Sequence, residues 1–240
     1  MTGRQYLADI PIDLFEDRAM IMERIRGWLR QPECPRQIVT LNASMLVKSL
    51  NCPALKRAIR GADLVTIDGC GIERALRKMG LSGICRIAGI ELVRELLTCV
   101  EIIGISVFFY GGSPDMVKKL RRQLKALWPG ITIAGIVNGY DIRCDARRIG
   151  DKIIQCRPGL LVVGLGSPRQ EIFLAKLLPH LAGTVGIGVG GALEVIAGVK
   201  KEAPQFVRDY GWEWLYRMGQ EPRKLAGLID LTRFWNRFLR

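Results

Sequence analysis

Short apolar runs alternate with longer amphipathic stretches along most of the chain. The apolar runs are rich in β-branched residues and predict buried strands. They lie at Gln37–Leu41, Asp63–Ile67, Ile105–Tyr110, Ile131–Val137, Leu160–Val163 and Val185–Val189. The stretches between them repeat apolar residues at helical spacing, and the residues ahead of the first helix allow one more short strand. Strands that alternate with helices predict an α/β fold, a Rossmann-like parallel sheet flanked by helices.

The pattern changes at about Pro204, after which only helical spacing is present. We therefore predict an α/β core over residues 1–203 and a helical appendage over residues 204–240. The last segment, Pro222–Arg240, combines apolar residues at helical spacing with an excess of arginine. That composition is typical of a helix lying on an anionic membrane, but a helix packed on the sheet or on a second subunit explains it equally well. Our working expectation is a membrane-associating appendage.

The stretch Gly159–Glu171 combines a buried strand, a glycine turn and the start of a helix. Open α/β sheets bind ligands at such turns, because backbone N–H groups and the helix dipole converge there. Ser167 suits the N-cap of the helix and Pro168 its first turn. An ordinary turn of a parallel sheet needs the same residues, and the spacing alone slightly favours that explanation.

The charge balance indicates an anionic partner. The 240 residues include 36 Lys and Arg against 23 Asp and Glu, a formal net charge of +13. Nucleic acid, an anionic membrane or a phosphorylated ligand would each match this excess. Aromatic residues make up only 7% and do not alternate with basic ones, so nucleic acid is not expected as a partner.

Cysteine and histidine usage indicates neither a disulfide framework nor a metal site. The seven cysteines are scattered without a CxxC pair, and His180 is the single histidine. Reduced thiols in a cytoplasmic protein fit this pattern best. The first residues lack an apolar signal core, and no apolar run is long enough to span a bilayer. We expect a cytoplasmic protein that can still touch a membrane.

Four polar residues near strand ends are candidates for chemistry. Asp68 follows a predicted strand and opens a glycine turn, where a carboxylate could act as a general base or simply form the turn. Thr40 and Asn42 end the preceding strand, where they could bind a ligand or cap the next helix. Arg86 could pair with a phosphate or with a surface carboxylate.

The glycine turns do not match the usual nucleotide-binding motifs. Gly164-Leu165-Gly166 lacks the third glycine of a dinucleotide loop, and no Walker A lysine or DxD-like carboxylate pair is present. A diphosphate would then be held without a metal, by backbone N–H groups, helix starts and cationic side chains. We expect no cofactor and no metal.

Eight short motifs occur in an order that resembles a known family. They are TxN at Thr40 and Asn42, ADxVxxDGxGI at Ala62–Ile72, RxxGxEL at Arg86–Leu92, FxYGG at Phe108–Gly112, NGY at Asn138–Tyr140, GLGxPxQE at Gly164–Glu171, GVGG at Gly188–Gly191 and EWLYRxxxEP at Glu213–Pro222. Together they resemble the WecG/TagA/CpsF glycosyltransferases (glycosyltransferase family 26), over roughly Asp9 to Lys224.

The resemblance implies an inverting, metal-independent glycosyltransferase. Such an enzyme moves a sugar from a UDP-sugar to a polyprenyl-diphosphate-linked saccharide during synthesis of exopolysaccharide, capsule, teichoic acid or common antigen. It implies a peripheral protein on the inner face of the cell membrane, with an anionic membrane surface as partner and possible homo-oligomers. A non-catalytic UDP-sugar-binding regulator of polysaccharide assembly is the alternative.

The same resemblance suggests roles for individual residues. Asp68 matches the family's proposed catalytic base, and Thr40 and Gln170 are assigned to catalysis with it. Glu194 occupies the position of a nucleotide-contacting Asp, and arginines of the appendage are brought to the diphosphate. The residues assigned to substrate binding are Asn42, Arg86, Gly111, Gly112, Gly139, Tyr140, Gly164, Gly166, Glu171, Gly190, Glu194, Arg217, Arg223 and Lys224.

The chain departs from the family pattern around the donor and acceptor ends. Ile67 stands where a proline often precedes the catalytic Asp, and GGALE at Gly190–Glu194 replaces the common GGxFD. Glu202 replaces the arginine of RAP, while Lys224 and Gly227 replace two arginines. Lysine offsets phosphate charge but cannot make a bidentate contact. These changes do not alter the predicted reaction class, but they leave the identity of the donor and acceptor sugars undetermined.

Overall fold

A computed structural model describes residues 3–140, 146–204 and 226–240, together with Val207 and Tyr216. The strands are β1 Gly3–Leu7, β2 Ile10–Leu14, β3 Arg36–Leu41, β4 Leu64–Ile67, β5 Ser106–Gly111, β6 Thr132–Val137, β7 Leu160–Gly164 and β8 Val185–Gly188. The helices are α1 Arg18–Arg30, α2 Ala43–Asn51, α3 Pro53–Arg60, α4 Cys70–Lys78, α5 Gly89–Ile103, α6 Pro114–Leu127, α7 Ala146–Cys156, α8 Arg169–Leu177, α9 Ala192–Ile196 and α10 Ala226–Phe234. A 3₁₀ turn, Leu178–His180, follows α8, and a π-helical turn, Trp235–Leu239, follows α10.

The main sheet has six strands in the order β4-β3-β8-β7-β5-β6. Every neighbouring pair is parallel, and all six strands were predicted from apolar runs. The Rossmann-like α/β fold with flanking helices is therefore confirmed. Because the strands are parallel, their carboxyl ends all lie at one edge of the sheet, where the polar and glycine-rich turns begin.

Alternating residues of the strands feed separate apolar clusters on the two faces of the sheet. In β7, Leu160 and Val162 pack in the cluster that includes α1, α5, α6 and α9. Leu161 and Val163 pack on the opposite face with α7 and α8. The helix after β7 thus covers one face, and the helix after the adjacent β8 covers the other. Such a divergence opens a crevice at the carboxyl ends of the two strands.

The chain begins with a hairpin rather than with the single short strand that the sequence allowed. β1 and β2 pair antiparallel and form a separate two-stranded sheet. The Arg4 guanidinium donates to both carboxylate oxygens of Asp13, at 2.8 and 3.0 Å. Asp13 is 8% exposed and also accepts the Val65 N–H at 2.8 Å. This carboxylate therefore joins the hairpin to β4.

Asp13→Asn is expected to lower the free energy of unfolding by about 2 kcal/mol, because a buried acceptor of two charged hydrogen bonds is lost. Urea unfolding monitored by circular dichroism measures the change. Asp9→Asn is the matched control, since Asp9 is exposed and pairs only with Lys56 in the described contacts of its side chain. Equal stability of Asp13→Asn and wild type would show that the hairpin does not depend on this carboxylate.

The helix near the end of the described chain packs on the core. Phe234 of α10 is 2% exposed and lies in the apolar cluster formed with α2 and α4. Ser44 Oγ donates to Asp230 Oδ2 at 2.8 Å, and Lys48 Nζ lies 3.8 Å from the same carboxylate oxygen. The described part of the basic segment therefore packs on the core through Asp230 and Phe234, and its association with a membrane stays a prediction. The division at residues 203 and 204 lies at the limit of the described residues and stays a prediction.

Candidate functional site

The candidate residues Thr40 and Asp68 converge at the start of α5. They lie at the carboxyl ends of β3 and β4, which pair in parallel register, with Leu41 opposite Ile67. A methyl group placed on Gly89 would be 3.5 Å from Thr40 Oγ1 and 3.8 Å from Asp68 Oδ2. Thr40 is 5% exposed, whereas Asp68 is only partly buried. A hydroxyl and a carboxylate therefore face one small space that the missing side chain of Gly89 keeps open.

The start of α5 supplies a positive electrostatic environment to this space. Its first residue is Gly89, its N-cap is Ala88, and no side chain among the described residues caps it. The first N–H groups of a helix lack partners within the helix, and its dipole favours negative charge at this end. Arg86 lies three residues earlier, with Nε 4.0 Å from Glu73 Oε2. The arrangement can hold an anion beside Asp68.

Gly89 was not among the residues that the sequence assigned to the site. The signal was present, because the glycine ends Arg86-Ile87-Ala88-Gly89 immediately before a predicted helix. Nothing in the sequence shows, however, that this helix starts opposite β3 and β4.

Asn42 serves as the N-cap of α2. Its Oδ1 accepts the Met45 N–H at 3.0 Å, as the capping explanation predicted. The side-chain Nδ2 is left as the group that could reach a ligand. Asn42 follows Leu41, so this amide lies at the same sheet edge as Asp68.

The glycines after β5, β6 and β7 are required by close packing between their turns. A methyl group on Gly111 would lie 2.4 Å from Gly164 O, and Gly111 has a φ of +140°. A methyl group on Gly139 would lie 2.8 Å from Leu165 Cδ2, and the Gly139 N–H donates to Gly112 O at 2.9 Å. These turns therefore form a continuous backbone surface, whether or not a ligand contacts it.

Gly166 and Gly190 belong to the neighbouring turns, after β7 and β8. Both have positive φ, +74° and +49°. A methyl group on Gly166 would meet no described atom within 4 Å. This part of the surface is open, in contrast to the tight contact at Gly111.

Two more candidates follow different strands of the sheet, Tyr140 after β6 and Glu194 after β8. Tyr140 is 69% exposed, and its N–H donates to Asn138 Oδ1 at 3.0 Å. Glu194, in the first turn of α9, pairs with the Lys200 ammonium. An exposed aromatic ring and a carboxylate are groups that can contact a nucleoside.

Gln170 and Glu171 are buried, at 3% and 1% exposure. Gln170 Oε1 accepts hydrogen bonds from the N–H groups of Gly166 and Gly190, and its Nε2 donates to Glu171 Oε1. Burial raises the pKa of the Glu171 carboxyl. Both side chains are thus directed into the protein beneath the glycine turns.

The family of the chain follows from comparison with known proteins. The model of the glycosyl transferase WecG/TagA/CpsF family matches residues 5–240. The chain belongs to this family. A curated relative from Bacillus spizizenii is 31% identical over 197 residues, which are 82% of this chain and 76% of the relative. That relative is an N-acetylglucosaminyldiphosphoundecaprenol N-acetyl-beta-D-mannosaminyltransferase.

The motifs that carried the resemblance to the WecG/TagA/CpsF family lie mostly at the carboxyl edge of the sheet. Thr40, Asp68, Gly111, Gly139, Gly164 and Gly190 all follow or end strands of the parallel sheet. The structure brings Thr40 and Asp68 together directly. Arg217, Arg223 and Lys224 lie outside the described residues.

The turn before α8 of this family member differs from the sequence prediction in one detail. The helix starts at Arg169, so Pro168 holds the N-cap position instead of the first turn, and no side chain of the described residues caps it. Ser167 is therefore not the N-cap, because its Oγ is turned into the protein. The Gln170 N–H instead donates to Gly166 O at 3.2 Å.

Residues 3–140, 146–204 and 226–240 contain neither a candidate metal cluster nor a helix that could span a membrane. Within them, no group of three or more His, Cys, Asp or Glu side chains is arranged to hold a metal ion. Across the same ranges, no helix combines the length and the apolarity needed to cross a bilayer.

Proposed function

We propose that the protein transfers a sugar, with inversion and without a metal, from a UDP-sugar to a polyprenyl-diphosphate-linked saccharide in surface polysaccharide synthesis. The observation that carries this proposal is the convergence of Asp68 and Thr40 on the start of α5. Asp68 Oδ2 and Thr40 Oγ1 lie 3.8 and 3.5 Å from the position that a methyl group on Gly89 would occupy. Membership in the WecG/TagA/CpsF family and the lipid-linked acceptor in the relative's name support it.

In the proposed reaction, Asp68 is the general base. The acceptor hydroxyl oxygen attacks the anomeric carbon, the bond from that carbon to the diphosphate oxygen breaks, and the hydroxyl proton passes to the Asp68 carboxylate. The electron pair of the broken bond leaves with UDP. A single displacement of this kind inverts the configuration at the anomeric carbon. Thr40 is placed to hydrogen-bond one of the reacting oxygens from beside the base.

The leaving diphosphate needs positive charge, and the chain offers it without a metal. The N–H groups at the start of α5 and the Arg86 guanidinium lie on the same side as Asp68. The family resemblance adds Arg217, Arg223 and Lys224 from the appendage. Negative charge that develops on the leaving oxygens would be stabilised there as the bond breaks.

The nucleoside end of the donor fits the other half of the sheet edge. Gly166 offers backbone that no described side chain covers, and Tyr140 offers an exposed ring for stacking on uracil. Glu194 could accept a hydrogen bond from a ribose hydroxyl. Its present partner, Lys200, would then lie near the donor phosphates or turn to solvent.

A donor screen tests the proposed function. The protein is incubated with a panel of UDP-sugars and with undecaprenyl-diphosphate-GlcNAc or undecaprenyl-diphosphate-glucose, with and without EDTA. We expect transfer from at least one donor, unchanged by EDTA, with inverted configuration in the product. Tight UDP binding without turnover of any donor would instead support the non-catalytic regulator.

We propose in addition that α10 and the turn after it bring the protein to the inner face of the membrane. Ile229 is 55% exposed, and Arg233 and Arg237 are exposed as well. The three residues recur four positions apart, so they share one helical face. An apolar group beside cationic groups on an exposed face is typical of a helix at an anionic lipid surface.

Replacing both arginines, Arg233→Gln with Arg237→Gln, is expected to weaken binding to anionic vesicles by roughly 30-fold, at about 1 kcal/mol for each charge. Sedimentation with phosphatidylglycerol vesicles measures the change. The matched control is Lys118→Gln with Lys119→Gln, which removes two exposed charges from α6 on the other side of the sheet. A similar loss in both double variants would argue against a specific membrane-facing helix.

A further inference from the structure

Gln170 links the turn after β7 to the turn after β8 through one side-chain oxygen. Its Oε1 accepts the Gly166 N–H at 3.1 Å and the Gly190 N–H at 2.9 Å. Gly166 follows β7 and Gly190 follows β8, so the contact spans two strands whose following helices lie on opposite faces of the sheet. A single amide group thus bridges the two turns that border this crevice.

The orientation of that amide depends on Glu171. A carboxamide has one oxygen and one NH₂ group, so an oxygen shared by two glycine N–H groups directs the NH₂ to the other side. There, Gln170 Nε2 donates to Glu171 Oε1 at 2.6 Å. If the amide were rotated by half a turn, the NH₂ group would face the two glycine donors and both bonds would be lost.

The surrounding residues leave this pair little freedom. A methyl group on Gly188 would lie 2.8 Å from Gln170 Nε2, so only glycine at this position admits the side chain. Gln37 Nε2 of β3 donates to the Glu171 main-chain oxygen at 3.2 Å. The start of α8 is therefore tied to β3.

Glu171 itself has no route to a ligand. It is 1% exposed, and its Oε2 has no hydrogen-bond partner in the part of the chain that the structure describes. The charged group that acts on it from a packed element is Lys48 of α2. A carboxyl group buried in this way can support the protein structure but does not contact the substrate.

We propose that Glu171 is a positioning residue that orients the Gln170 amide, and that Gln170 in turn holds the Gly166 and Gly190 turns at the spacing the donor nucleotide requires. The inference rests on the proposed function for the identity of the ligand. It changes the role of Gln170 from a group that contacts substrate to one that acts through two backbone turns. Glu171 likewise moves from substrate binding to support of the binding surface.

Exchanging the two side chains tests the proposal. In Gln170→Glu, two carboxyl groups must share one proton, so the contact should weaken as pH rises through the neutral range. In the double variant Gln170→Glu with Glu171→Gln, the new carboxylate still accepts both glycine N–H groups, and the new amide donates to it. We expect the double variant to restore the hydrogen bonds to the Gly166 and Gly190 N–H groups that the single variant loses.

Hydrogen exchange of the free protein supplies a readout that needs no substrate. Exchange rates, corrected for their intrinsic pH dependence, are measured for the Gly166 and Gly190 amides by NMR. Glu171→Leu should raise both rates roughly tenfold, the factor for one lost hydrogen bond of ordinary strength. Gln170→Glu should do the same at high pH, where both carboxyl groups are ionised. Glu171→Gln keeps an oxygen for Nε2 and should stay close to wild type. UDP affinity, measured by calorimetry, should fall in Gln170→Glu and Glu171→Leu and stay close to wild type in Glu171→Gln.

Leu174→Ala is the matched control, because Leu174 is fully buried on the same helix and packs near Gly186 instead of the two turns. It should lower the free energy of unfolding without a selective rise in the amide exchange rates of Gly166 and Gly190. Unchanged exchange in Gln170→Glu, or a double variant no better than the single one, would overturn the positioning role. Rapid exchange in the variants of a protein that binds no UDP would uphold the contact and refute the proposed function.

Discussion

Asp68→Asn is expected to lower the rate of sugar transfer by about 10²- to 10⁴-fold, the range for removal of a general base. Asparagine keeps the size and polarity of the side chain, but its amide cannot take the acceptor proton. UDP affinity should change little, because the diphosphate is assigned to the start of α5 and to Arg86. Initial rates and calorimetric UDP binding, measured on the same preparations, separate the two effects.

The control for this variant is Asp115→Asn, which removes an 88% exposed carboxylate from the start of α6. It should leave both rate and UDP affinity unchanged. Full activity in Asp68→Asn would refute the assignment of the base. A large loss of UDP affinity with little change in the maximal rate would show that Asp68 binds the donor instead.

Phe234→Ala is expected to lower the free energy of unfolding by about 3–5 kcal/mol, the cost of truncating a buried Phe. The ring lies 3.5 Å from a methyl group placed on Gly71, in the first turn of α4, the helix that follows Asp68. Loosening α10 should therefore also disturb the acceptor side of the site and reduce transfer. Thermal unfolding, limited proteolysis and activity in detergent measure the three consequences.

The adjacent Trp235→Ala is the matched control, since Trp235 is 53% exposed. Its effect on unfolding should be about 0.5 kcal/mol or less, as for other exposed positions. If Phe234→Ala unfolded like Trp235→Ala, the packing of α10 on α2 would contribute nothing to stability. If it lost stability but kept full activity, α10 would not support the turn at Asp68.

Local sequence pattern was sufficient for the parallel sheet because its strands are buried on both faces. Leu160–Val163 and Val107–Tyr110 are continuous apolar runs, which only a fully covered strand tolerates. The strand order could not be derived in the same way. It depends on which helix covers which face, and no short-range pattern records that choice.

The hairpin escaped prediction for a specific reason. β1, GRQYL, is mostly polar and exposed, so it lacks the apolar alternation of a half-buried strand. The turn between β1 and β2 is formed by Ala8 and Asp9, with φ of 53° and 62°. Two-residue turns with positive φ usually contain Asn-Gly or Asp-Gly, and neither is present here.

The candidate site was predictable at Asp68 and Thr40 and less so at Gln170. Polar residues at the ends of parallel strands reach one edge whatever the strand order, so their common location followed from the fold class. The burial of Gln170 and Glu171 did not follow, because polar side chains in a first helical turn are ordinarily exposed. Only the three-dimensional contact with Gly166 and Gly190 reveals their environment.

The hairpin also has a consequence for association between molecules. β4 is the outermost strand on its side of the sheet, and the backbone groups of an open strand edge can pair with a second sheet. β2 packs beside β4 without joining its sheet, and the Asp13 carboxylate accepts a hydrogen bond from the Val65 N–H. The edge is thus closed by a side chain rather than by another strand. The hairpin protects the protein from edge-to-edge aggregation at β4.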